Sequence, residues 1–157
     1  MKPAEFSGLI RRIQQELDEI RLVLARVQDG LERARRSNDD LYLDSIALNL
    51  HGFYSGFERV FTLIAETMEG ELPRGENWHE LLLRQMMKNI PGIRPAVISP
   101  ETGRLLDELR RFRHVVRNVY THKFSPEKIE NLTRDASAAF ERLQAELLAF
   151  VVFLEQG

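Results

Sequence analysis

From Phe6 the chain places an apolar residue at alternating steps of four and three: Ile10, Ile13, Leu17, Ile20, Leu24, Val27, Leu31 and Ala34. A mean spacing near 3.5 keeps these side chains on one face of a helix, whereas a strand would require a period of two. The positions between them are mostly Arg, Glu, Gln and Asp, the pattern of a solvated outer face. This predicts a helix from Pro3 to about Arg36. A stripe of that length has to be covered by other helices.

The covering elements follow in order. Leu43, Ile46, Leu50, Phe53, Phe57, Val60, Ile64 and Met68 repeat the same step and predict a second helix from about Asp40 to Met68. Asn38 and Asp39 in the link are candidate caps. Gly52 and Gly56 sit one turn apart in it and predict a close helix approach, and Gly70 closes it. Asn77-Trp78-His79-Glu80 carries the side chains of a reciprocal cap and predicts a short helix from Trp78 to about Asn89. Ser99-Pro100 and Ser125-Pro126 each carry a capping Ser followed by a Pro suited to the first helical position. They predict helices from Pro100 to about Phe124 and from Pro126 to about Leu154. The expected fold is all-α: an up-and-down bundle of four long helices plus one short helix, in one domain over residues 1–157.

Composition narrows the function. The net charge of −2 argues against bulk attraction to nucleic acid, so an anion-binding surface has to be local. Cysteine is absent, which removes disulfides and thiol chemistry and fits a reducing cytoplasm. No apolar run approaches the ~18 residues of a membrane span, and no signal-peptide core is visible. The expectation is a cytoplasmic protein with no membrane contact.

Charge concentrates between Arg110 and Phe124. This stretch holds Arg110, Arg111, Arg113, Arg117, Lys123, His114 and His122 among apolar Phe112, Val116 and Val119. Arg113 and Arg117 lie one helical turn apart and can flank one phosphate. His122 is the type of side chain that moves protons near neutral pH. Cleaving RNA without a metal takes a base for the ribose 2′-hydroxyl, a cation for the developing phosphorane charge and an acid for the leaving oxygen. Arg117 and His122 supply two of the three. On an ideal helix, however, five residues turn the chain by roughly 500°, leaving this pair about 140° apart. Three resolutions stand open: the helix loosens before Ser125, the side chains converge across a groove, or a second copy completes the site. His114 and His122 can also share a helix face around Asn118, but a metal there would need carboxylates from elsewhere. The plainer alternative is that the arginines pair with acids of neighbouring helices.

Arg117-Asn-Val-Tyr-Thr-His122 resembles the motif of the HEPN superfamily, an arginine followed by four to six residues and a histidine. Its Arg-Asn start is typical of the HepT-like ribonuclease toxins. Leu50-His-Gly-Phe-Tyr-Ser-Gly-Phe-Glu-Arg59 resembles their second helix, and Leu72-Pro-Arg-Gly-Glu-Asn-Trp-His79 the loop that follows. The resemblance implies a helical bundle that forms a homodimer, with both motifs facing one cleft. It implies a metal-independent ribonuclease directed at tRNA or mRNA, with no cofactor, and a minimal nucleotidyltransferase antitoxin as partner. In some such pairs the antitoxin attaches AMP to a tyrosine two residues after the motif histidine. Here that position is Phe124, which has no hydroxyl to modify.

On this reading Arg117 stabilises the transition state, His122 acts as acid or base, and Asn118 orients the pair. Arg113, His114, Tyr120 and Lys123 bind the substrate. Glu58 matches an acidic position of the family's second helix; it either orients Arg117 or His122 or makes a surface ion pair. Trp78-His79 reads as a packing anchor, and His51 either faces the cleft or is exposed. The alternative function is a non-catalytic HEPN subunit that binds a nucleotidyltransferase partner or a nucleotide.

Overall fold

The computed structural model of the chain describes residues 3–156. The first apolar stripe folds as α1 (Ser7–Ser37), entered through a 3-10 turn at Pro3–Phe6. The remaining helices are α2 (Tyr42–Met68), α3 (Trp78–Met86), α4 (Pro100–Asn118) and α5 (Pro126–Gln156). No strand forms among the described residues beyond an isolated bridge between Ile90 and Arg94.

The four long helices close a ring, α1 on α2, α2 on α4, α4 on α5 and α5 back on α1. Cross-links at matching heights show that neighbours run antiparallel. Gln28 of α1 donates to Ser137 Oγ of α5 at 3.1 Å, and Arg35, one helical stretch later, pairs with the earlier Glu130. The predicted up-and-down bundle is therefore what forms, with α3 outside the ring against α2 and α4. Its core is one continuous cluster in which Phe53, Phe57, Phe61 and Phe140 interlock, Phe53 meeting Phe57 edge-on at 5.2 Å.

The glycine expectation divides. A methyl group on Gly56 would stand 2.6 Å from Cγ1 of the buried Ile20, so α1 and α2 approach closely there. Gly52 faces open space and takes no part in that approach. Gly30, against Ile46, marks the second close approach between the two helices. At the end of α2, Gly70 adopts φ 70° and donates to the Ala65 and Glu66 carbonyls, the predicted stop.

Several boundaries differ from the sequence expectation. Asn38 ends α1 in the left-handed region instead of starting α2, and Asp39 accepts a bond from the Leu41 amide in the turn between them. The reciprocal cap at Asn77 does not form; Glu80 pairs with Arg84 instead. α3 stops at Met86, short of Asn89, because the Met86 carbonyl accepts from the Val97 and Ile98 amides. α4 stops at Asn118, short of Phe124. Val119 and Tyr120 are extended, and this swing returns Phe124 to the core, its ring 6.0 Å from that of Phe112. Burying a phenyl group outweighs one more turn of an exposed helix.

The link between α3 and α4 is clamped by Arg94, whose side chain is wholly buried. Its Nε and Nη2 donate to both carboxylate oxygens of Glu69 at 2.9 and 2.6 Å. The other donors reach the carbonyls of Gln85, Lys88 and Pro95. All five guanidinium N–H groups are thereby satisfied. At the start of α4, Ser99 caps Thr102 as predicted, and Glu146 of α5 accepts from the Ser99 amide and the Thr102 hydroxyl.

Candidate functional site

The sequence places His51 and Glu58 seven residues apart on α2, hence on one face. That face meets α4, and the two helices bring His51, Glu58 and Arg113 together. Glu58 is a buried acid, which requires a partner. Arg113 Nη1 meets its Oε1 at 2.7 Å, and His79 Nδ1, from the first turn of α3, lies 2.6 Å from its Oε2. Arg113 Nε donates to His51 Nε2 at 3.2 Å. An accepting Nε2 puts the His51 proton on Nδ1. Burial, followed by the positive charges of Arg113 and Arg117, lowers the His51 pKa from its ordinary 6.5. Tyr54, one turn before Glu58, is buried, and burial first and the carboxylate second push its phenol above the usual range.

This finding corrects two expectations. Glu58 orients neither Arg117 nor His122; it binds Arg113 and His79. It is not a surface ion pair either. His79, expected to serve packing alone, lies against Trp78 with ring centroids 3.6 Å apart and planes tilted by 31°, but is also tied into the charged network.

Above the network opens a cavity of about 470 Å³. Arg110, Arg113, His114, Arg117 and Asn118 line it from α4, and Glu76 and His79 line it from the α3 side. The cations here differ in their freedom. Arg110 is held by Asp107 at 2.8 Å and Arg111 by Asp107 at 2.7 Å, both on their own helix. Arg117 has no carboxylate within 4 Å among the described residues, and neither has Lys123. Asn118, expected to orient Arg117 and His122, turns back along its helix instead, its amide donating to the His114 carbonyl at 2.8 Å and lying 3.2 Å from the His114 ring.

The motif therefore straddles the end of α4. The helix loosens before Ser125, yet the loosening does not draw His122 into the cavity that Arg117 lines. Arg117 stays on the last turn, and His122 sits in the 3-10 turn Thr121–Lys123, exposed to solvent. Its ring stacks parallel on Tyr120 at 5.8 Å, and Tyr120 is itself exposed. His122, Tyr120 and Lys123 do not line the cavity that Arg117 enters. His114 and His122 no longer share a helix face, which removes the geometry considered for a metal. A larger groove of about 970 Å³ runs between α3, α4 and α5. Among the described residues no imidazole lines it, and of the arginines on its walls Arg84, Arg111 and Arg142 are paired with acids while Arg104 is not.

Comparison with known proteins completes the picture. A family model described as HepT-like protein matches residues 45–154. The chain belongs to the HepT-like family, within the HEPN superfamily. The match takes in α2 with Glu58, the His79 turn and the whole of α4 with its motif. For a HepT-like chain, membership points at family level to a HEPN-type toxin or ribonuclease. Neither the curated proteins nor the solved structures contain a match to this chain. Among the described residues of this HepT-like protein, no helix is long and apolar enough to cross a membrane.

Sequence reasoning offered a cleft-facing His51 but missed its bond to Arg113, and it missed the engagement of His79. The seven-residue step from His51 to Glu58 was the available signal, since it puts an imidazole and a carboxylate on one face of α2.

Proposed function

We propose that this HepT-like chain is a toxin-type, metal-independent ribonuclease acting on tRNA or mRNA as a homodimer. On this reading the whole chain, 1–157, works as one HEPN/HepT-like domain, and a minimal nucleotidyltransferase is its antitoxin. One observation carries the reading. Arg117, free of any carboxylate within 4 Å among the described residues, enters a cavity whose walls also hold two imidazoles, His79 and His114. An uncompensated guanidinium beside proton-transfer groups suits a phosphodiester passing to a phosphorane.

In the proposed reaction the ribose 2′-oxygen attacks phosphorus after losing its proton to a base. The bond to the 5′-oxygen breaks, and an acid protonates that oxygen. The products are a 2′,3′-cyclic phosphate and a 5′-hydroxyl. Arg117 stabilises the added charge on the non-bridging oxygens and His114 holds the RNA backbone, while Arg113, expected to bind RNA as well, is taken up by Glu58 and His51 on the cavity wall. His122 acts as acid or base, with Tyr120 and Lys123 beside it contacting RNA. Asn118 fixes the His114 side of the cavity next to Arg117. Because His122 lies outside its own chain's cavity, a two-fold dimer is the arrangement that brings it to a phosphate held by Arg117.

The test uses purified protein with tRNA and mRNA in EDTA. Wild type should cleave, and Arg117→Ala and His122→Ala should each lose about 100-fold or more. Light scattering should give twice the 18.3 kDa chain mass. The placement of His122 outside the cavity favours a second reading, a non-catalytic subunit that binds a nucleotidyltransferase or a nucleotide there. Wild type as inert as the variants at high concentration would decide for it.

A further inference from the structure

We propose that His79, held by Glu58, is the general base of this site, which leaves His122 the role of acid. The proposal rests on the ribonuclease reading and assigns the third group that such chemistry needs.

The argument begins with the hydrogen bond that fixes the ring. Glu58 is buried and acceptor-only when ionised. A carboxylate oxygen 2.6 Å from His79 Nδ1 can only accept, which assigns the proton to Nδ1 and the Nδ1–H tautomer to the neutral ring, with Arg113 Nη1 farther off at 3.2 Å. Nε2 is then the nitrogen left with a lone pair. A carboxylate orienting one ring nitrogen while the other takes a proton is the base-and-orienter arrangement of many hydrolases. Rotation is hindered further by Trp78, whose tilted ring lies with its centroid 3.6 Å away, and α3 itself packs on α2.

Position supports the same role. His79 lines the cavity that Arg117 enters, so a phosphate held by Arg117 would present its ribose to an imidazole already in place. The other two imidazoles near the network are less free. His51 spends Nε2 on Arg113, and His114 contacts the Asn118 amide through Nδ1. The reaction then balances within the assembly. The 2′-hydroxyl proton goes to His79 Nε2, the 2′-oxygen bonds to phosphorus, and the departing 5′-oxygen takes its proton from the His122 imidazolium.

The charged and titratable groups around His79 are Glu58 and His51 on α2, Glu76 before α3, and Arg110, Arg113, His114 and Arg117 on α4. Of these, Glu58 makes the closest contact with the ring, and Arg113 Nη1 follows at 3.2 Å.

The experiment compares wild type, His79→Ala, His79→Asn and His122→Ala on a short oligoribonucleotide. A second substrate carries sulfur in place of the 5′-bridging oxygen, a leaving group that departs without protonation. His79→Asn keeps a donor to Glu58 and removes only the base, so its fold, checked by circular dichroism, should match wild type. Both His79 variants should lose about 100-fold or more in kcat/KM and the ascending limb of the pH–rate profile. Free imidazole should restore part of the activity to His79→Ala. The sulfur substrate should rescue His122→Ala and leave the His79 variants slow. Wild-type rate and an intact ascending limb in His79→Asn would overturn the assignment, as would rescue of His79→Ala by the sulfur substrate. Absence of cleavage by wild type is a different result: it removes the ribonuclease reading, and this proposal with it.

Discussion

Arg113 and Glu58 meet at 2.7 Å across the α2–α4 contact, their side chains 18% and 8% exposed. An ion pair this sheltered binds the helices more through the cost of breaking it than through its formation. It also holds the floor of the cavity in which Arg117 lies.

Glu58→Ala should therefore destabilise by roughly 3 kcal/mol, because Arg113 is left buried without its acid. Urea unfolding measures this. Arg113→Met combined with Glu58→Met should cost clearly less than the sum of the single changes. Equal additive losses would mean that the pair is not coupled.

Arg94 makes a stricter case, since every donor is used and its side chain is wholly buried. Arg94→Met should cost roughly 3–5 kcal/mol by stranding Glu69 and three carbonyls. Arg94→Lys should recover little, because one ammonium cannot span the same acceptors. A loss below about 1 kcal/mol in chemical denaturation would contradict the clamp.

The two glycines one turn apart on α2 should respond with opposite signs. Gly52→Ala meets open space and should stabilise the fold by about 0.5–1 kcal/mol through helix propensity. Gly56→Ala presses on Ile20 and should destabilise by about 1–3 kcal/mol, with Ile20→Val relieving part of the loss. Thermal melting of the three variants tests the contrast.

His51 gives the stability a pH dependence whose sign follows from its lowered folded-state pKa. Between that value and the ordinary 6.5 the unfolded chain binds more protons than the folded one, so stability rises with pH through this window. The contribution is complete above 6.5 and is lost as pH falls through the folded value. Wild type should lose stability relative to His51→Asn on going from about pH 8 to about pH 5. A constant difference over that range would count against it.

The four long helices were legible because burial and periodicity coincide in them. Ile13, Ile20, Ile46 and Phe53 recur at the predicted steps and are sealed from solvent. Caps at Ser99 and Gly70 were legible for a local reason, since their hydrogen bonds close within a few residues. The ends of α3 and α4 were not, because distant groups set them: Val97 and Ile98 take the Met86 carbonyl, and the core takes Phe124.

The sequence by itself determined the bundle and the concentration of cations on α4, because a helix repeats its faces regardless of what surrounds it. Only the tertiary structure decided which of those cations stay free. Arg113 is spent on Glu58 and Arg117 is not, and His79 rather than the motif histidine shares Arg117's cavity. That choice depends on which side chains 21 and 55 residues apart are brought within hydrogen-bond reach, and helical periodicity carries no information about distances of that kind.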